Sequence, residues 1–205
     1  MGGGYGPIAI ATALRDALDA TPAATASILI DLQVDPATTA TAVREVHQLG
    51  AAETATLLAS AGATADQVAV AVAAAFGDGP IEGAQDLRTA GFGFRAIGAA
   101  LVDVHHLASD DALRTMFEAG IPLGEAGTVL KDVFVQAPGA AAATVMSVFG
   151  PFEAATILQS VYVESAPDTA RLLAGAGARP AQVVAALRDV YLVSPDQAAA
   201  IAAAS

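Results

Sequence analysis

Any chemistry in this chain would have to start from three histidines, because there is no cysteine and the remaining titratable side chains are mostly acids. His47 and His105 occupy the same phase of an internal repeat, where other copies carry Leu18, Phe76, Phe134, Tyr162 and Tyr191. That position asks for a bulky, partly apolar side chain, which is a packing role. Two stacked repeats hold the pair apart by on the order of 20 Å, too far to share one metal ion. His106 follows His105 directly and is expected to point elsewhere on the same helix. No metal site is expected.

Acid–base catalysis needs two carboxyls in one place. Asp110-Asp111 is the one adjacent acidic pair, and Glu53, Glu82, Asp111, Asp168 and Asp196 each open a helix, where the positive end of the dipole explains them. There is no Gly-x-Ser-x-Gly for a serine nucleophile. Gly77-Asp78-Gly79-Pro80 lacks both the lysine of a phosphate loop and a preceding strand, so it reads as a turn. No cofactor motif is present, and the expectation is a protein that is not an enzyme.

Two further patterns carry charge and bulk. Arg15-Asp16, Arg44-Glu45, Lys131-Asp132 and Arg188-Asp189 recur at one phase of the repeat. Neighbours on a helix diverge by about 100°, so each pair is expected not to bridge within itself. They read as a solvated outer face, where a cation of one repeat could meet the acid of the next. The middle of the chain carries extra apolar bulk, Phe92, Phe94, Ile121 and Leu123, with Phe149 and Phe152 further on. Gly98 and Gly127 lie at matching helical positions nearby. A glycine inside a helix costs about 1 kcal/mol against alanine, which points to close approach of a neighbour or a ligand. These six residues are the candidate lining of a central apolar groove.

The element that must position all of this is a short helical hairpin. With Gly91 as the anchor, Ile97, Leu101 and His105 stand at +6, +10 and +14, on one face of a helix. The same spacing gives Val68, Val72 and Phe76 from Gly62, and Ala126, Leu130 and Phe134 from Gly120; successive anchors differ by 29. Gly4, Gln33, Val148 and Gly177 complete seven copies, with one residue lost between 120 and 148. Each anchor is where a helix ends, since glycine takes the left-handed conformation without a Cβ clash. Pro7, Pro36, Pro151 and Pro180 then open the next helix, and Pro22, Pro80, Pro138, Pro167 and Pro195 open the other one, with Ser109 and Ser194 as N-caps. The spacing predicts an all-α solenoid of seven 29-residue hairpins, about fourteen short helices with no strand. With no linker or charge run, residues 1–205 read as a single domain.

Composition narrows the function. Hydrophobic residues make up 55% of the chain, so a sizeable core can form. Much of that fraction is alanine, the best helix former. The longest uncharged stretch, Val133 to Phe152, is cut by Pro138-Gly139 and Gly150-Pro151 into pieces too short for a bilayer. The net charge is −12, with 9 basic residues scattered among 21 acids, which argues against nucleic acid. Met1 to Gly6 lacks the basic region of a signal peptide, which favours the cytoplasm.

Val193 to Ala202 resembles the opening helix of TAL-effector DNA-binding repeats, and Gln182-Val183-Val184 has a similar character. Those repeats are longer and present a basic stripe to DNA, which this acidic sequence lacks; the resemblance implies short alanine-rich hairpins. HEAT, TPR and ankyrin signatures do not match the period. The expectation is therefore a scaffold that binds a partner protein or peptide, with the alternative of an apolar small molecule held in the central groove. The chain opens with the second helix of a hairpin and closes with the first helix of another, which raises end-to-end self-association.

Overall fold

A computed structural model describes residues 5–205, and Met1 to Gly4, including the first anchor, lie outside the described residues. The described residues form fourteen α-helices and no strand. They fall into two compact units, Met1–His106 and Leu107–Ser205. The first contains α1 (Pro7–Leu18), α2 (Pro22–Asp31), α3 (Pro36–His47), α4 (Ala51–Ser60), α5 (Ala65–Phe76), α6 (Pro80–Thr89) and α7 (Phe94–Asp103). The second contains α8 (Ser109–Glu118), α9 (Leu123–Asp132), α10 (Pro138–Val148), α11 (Pro151–Ser160), α12 (Ala166–Gly175), α13 (Pro180–Tyr191) and α14 (Pro195–Ala203).

Within each unit a helix touches its sequence neighbours and the helices two places away. Odd-numbered helices thus make one row and even-numbered helices another. No helix of two or three turns can bury an apolar face alone, so the rows share one core along the unit. The odd row supplies Val43, Val72, Leu101, Leu130, Leu158 and Leu187 at +10, all buried. The even row supplies Leu29, Leu58, Leu87, Met116, Val145 and Leu173, each fully enclosed. Burying a side chain of this size contributes about 1.5–3 kcal/mol.

The anchors end the even helices as a pair of capping bonds. Gly91 has φ +86; its N–H donates to the Arg88 carbonyl and the Phe92 N–H to the Leu87 carbonyl, both at 3.0 Å. Gly62, Gly120 and Gly177 repeat this arrangement, and Gln33 does so at φ 60. The lost residue has a local consequence. α10 runs on to Val148, and the Phe149 N–H caps it on the Val145 carbonyl at 2.9 Å before Gly150 leads into α11.

The other boundary departs from the sequence reading. Position +15 is left-handed in every copy: Asp19, Gln48, Gly77, His106, Val135, Val163 and Leu192. Val135 (φ 52) and Val163 (φ 60) are β-branched, for which this conformation is strained. His106 is one of these turn residues, so neither it nor His105 lies in α7, which ends at Asp103. The N-caps divide as well. Ser194 accepts from the Gln197 N–H at 3.3 Å, as expected. Ser109 is instead the first residue of α8, and its Oγ accepts from Gln136 Nε2 at 2.9 Å.

Candidate functional site

The charged and aromatic positions that the repeat brings together form a latch between successive odd helices. Arg15 Nη1 donates to the Val46 carbonyl at 2.6 Å, and Lys131 Nζ donates to the Val161 carbonyl at 2.9 Å. Arg44 reaches the Ala75 carbonyl in the same way, and Gln159 Nε2 the Val190 carbonyl at 3.2 Å. In each case the residue at +11 meets the C-terminal end of the following odd helix, its last turn or, at Val161, its C-cap, where free carbonyls and the negative end of the dipole favour a cation. The ring at +14 of that helix lies beneath the charge. Arg44 sits 5.2 Å from the Phe76 centroid and Lys131 Nζ 5.5 Å from that of Tyr162.

This corrects the reading of the charge pairs. Arg15 Nε and Asp16 Oδ1 do bridge within the pair at 2.7 Å, as do Arg188 and Asp189 at 2.8 Å. Arginine is long enough to bend back along the helix surface toward its neighbour. The other partner of Arg15 is a backbone carbonyl, that of Val46, rather than the next repeat's acid. Gln159 gave no charge signal, so only its phase in the repeat could have found it.

The +14 side chains also reach the preceding even helix. His47 Nε2 lies 3.1 Å from Thr25 Oγ1, and the Tyr191 hydroxyl 2.6 Å from Thr169 Oγ1. The Tyr191 and Tyr162 hydroxyls also donate to the Glu164 and Gln136 carbonyls at 2.8 and 3.0 Å. Burial pushes Tyr162 up to about 12, with Asp132 adding to it. Burial, and then the charge of Arg15, lowers the pKa of His47. His105 is lowered by burial and by His106, and its Nε2 lies 3.5 Å from where a Cβ on Gly83 would stand. At the position equivalent to Thr25, Thr54 has a buried hydroxyl with no partner. The +14 residue of the next repeat is there Phe76, which has nothing to offer it.

The six groove residues are distributed between the units. Phe92 and Phe94 are half-buried in the first. In the second, Ile121 is 1% exposed and closed off as core, Leu123 is half-buried, and Phe149 packs edge-to-face on Phe117 with centroids 4.8 Å apart. Phe152 is exposed and lines a small hollow with Pro151, Gln182 and Ala185. Gly127 is explained by packing: a Cβ there would lie 3.0–3.2 Å from three atoms of Ile157. Gly98 is also buried.

Two features were not anticipated. Asp86 on α6 and Asp78 in the turn before it each have one buried carboxyl oxygen without a partner. Burial, then Asp78, then Glu82 raise Asp86 to about 7. The aspartates are eight positions apart across a turn, so no short motif marks them. The second feature is the outer face of α1. Position +9 is buried in every later copy (Ala42, Ala71, Ala100, Val129, Ile157, Ala186), whereas Ala13 is exposed. Ala13 and Ala17, with Tyr5, Ile10, Leu14 and Leu18, line an apolar hollow of about 700 Å³.

No helix is long and apolar enough to cross a membrane, and among the described residues no three His, Cys, Asp or Glu side chains group closely enough to hold a metal ion. No protein-family model, curated protein or solved structure matches the chain.

Proposed function

We propose that the chain is a non-catalytic helical-repeat scaffold that binds a partner protein or peptide, and that the partner docks as a helix on the outer face of α1. The observation that carries this reading is the uncovered +9 and +13 stripe of α1, Ala13 and Ala17, beside the exposed Leu18. Elsewhere that stripe is where the preceding odd helix packs. A partner helix with a small apolar face and an arginine near its end would meet the same requirements: close backbone approach, and a donor for the last carbonyls of α1. Helix α13 of a second copy offers such a surface, with Val184 at +7 and Arg188 at +11. End-to-end self-association is thus one form of the proposal.

A second reading, an apolar small molecule, draws on the same hollow, whose lining is almost entirely apolar. Native mass spectrometry of the wild type and of Ala13→Glu separates them. A bound polypeptide or second copy that is lost in the variant supports the scaffold. A small adduct lost in the variant supports the ligand reading instead. Identical composition of the two proteins would overturn α1 as the site.

A further inference from the structure

We infer that the second unit carries a docking edge for an extended basic peptide, in which the exposed side chains of Val135, Val163 and Leu192 seat apolar residues at every third position and Asp132 and Glu164 meet its Lys or Arg side chains. This edge is separate from the outer face of α1 and does not depend on it. The three aliphatic residues stand at +15, in the turns after α9, α11 and α13, and are 80%, 81% and 85% exposed. They are also left-handed, with φ of 52, 60 and 56. Both features are unfavourable: apolar surface is left in water, and each Cβ is held against the following carbonyl. The fold asks for neither. In the first unit the same left-handed turn is made by Asp19, Gln48, Gly77 and His106, all exposed and none aliphatic. Strained backbone of this kind collects where a chain clamps a ligand.

The three turns form one edge. The Tyr162 hydroxyl donates to the Gln136 carbonyl at 3.0 Å and the Tyr191 hydroxyl to the Glu164 carbonyl at 2.8 Å, so each ring ties one turn to the next. Packed helices lie about 8–10 Å apart, which sets the step between successive knobs. A polyproline II strand repeats its face every three residues, about 9.3 Å, and matches that step. A β-strand, at about 6.6 Å per two residues, falls short, and a helix, at about 10.5 Å per seven residues, overshoots. Charge then sets the composition. Asp132 ends α9, and Glu164 follows Val163 directly. Neither makes an ion pair among the described residues. The cations nearby are engaged, Lys131 by the Val161 carbonyl and the Tyr162 ring, and Arg188 by Asp189. The uncommitted charge is therefore negative and suits a basic peptide. A second copy fits less well. Three aliphatic side chains, each smaller than the aromatics that bury about 150–250 Å², fall short of the roughly 800 Å² per partner of a stable dimer.

The test is fluorescence anisotropy of a labelled nonapeptide, three Leu-Pro-Arg units, with the full chain at low salt, where charges are least screened. Affinity should fall at least about tenfold when the peptide carries Leu-Pro-Glu units instead, and as much in the triple variant Val135→Asn, Val163→Asn, Leu192→Asn. Asparagine tolerates the left-handed turn, so that variant should melt no lower than the wild type. Ala13→Glu, on α1, should bind the peptide as the wild type does. Lower stability of the triple variant would mean that these side chains serve the fold, and undiminished affinity would remove the edge as the site; either overturns the proposal. So does a wild type that fails to bind the Leu-Pro-Arg peptide. A wild-type dimer, or binding to phosphatidylcholine vesicles, that the triple variant lacks would assign the edge to a second copy or to a lipid surface and overturn the peptide.

Discussion

Helices α3 and α5 are joined differently from α5 and α7, although all three occupy the same row of the first unit. In the first joint Arg44 reaches the Ala75 carbonyl and covers the Phe76 ring. In the second joint the +11 position is Ala73, whose methyl group can make no such bond. The apolar stripe is present in both: Ala40 and Ala71 are buried in one, Ala69 and Ala100 in the other. Burial is therefore the common term in this stacking, and the latch is an addition that some joints carry. The unlatched joint also lies next to α6, which carries the buried Asp86. The first unit is therefore expected to be firmer at α3–α5 than at α5–α7, since local stability follows local contacts.

The largest expected effect tests whether the apolar stripe and the latch are separable, using the α9–α11 joint, which has both. Ile157→Ala should cost about 2–5 kcal/mol in a urea titration, since a filled hole becomes a cavity. Gly127→Ala alone should cost about 1 kcal/mol through overpacking against Ile157. Together the two substitutions recreate the alanine pair that Ala11 and Ala42 make in the first unit. The double variant should therefore be more stable than the summed single effects. Strict additivity would mean that the glycine and the isoleucine are not a matched pair.

The latch should matter less, because it is partly exposed. Arg44→Ala should cost about 1 kcal/mol, and the converse, Ala73→Arg, should gain about 0.5 kcal/mol by extending the latch to α7. Equal loss and gain would make the two joints interchangeable; no change in either would reduce the comparison to apolar packing. The finest test uses one substitution at two equivalent sites. Thr25→Val removes the partner of His47 and should cost about 1 kcal/mol, whereas Thr54→Val removes a buried hydroxyl that has no partner and should gain about as much. The same sign at both sites would break the matching between +14 and the preceding even helix.

The fold was legible because its signals are periodic. Glycine anchors, helix-opening prolines and the +6 and +10 apolar positions recur, and each has a local cause that needs no knowledge of the neighbours. Contacts between repeats were not legible in the same way. Arg15 and Arg44 look like surface charge until the helix end that faces them is known. The turn at +15 left no trace either, because Val135 and Val163 are held left-handed by the helices on both sides against their own preference. Asp86 sits in α6 beside Glu82 and Arg88 and reads as one more polar residue until packing buries it. The groove reading grouped residues by hydrophobicity alone, which cannot tell core Ile121 from exposed Phe152.

The missing residue at the end of α10 shows where length is counted in this molecule. Its loss is absorbed between Val148 and Pro151, and α12 and α14 open at Ala166 and Pro195, again 29 apart. Each hairpin thus keeps its own ruler, and an error in one is not handed to the next. A protein built this way can gain or shed whole hairpins, or single residues at the turns, while the remaining copies go on packing as before.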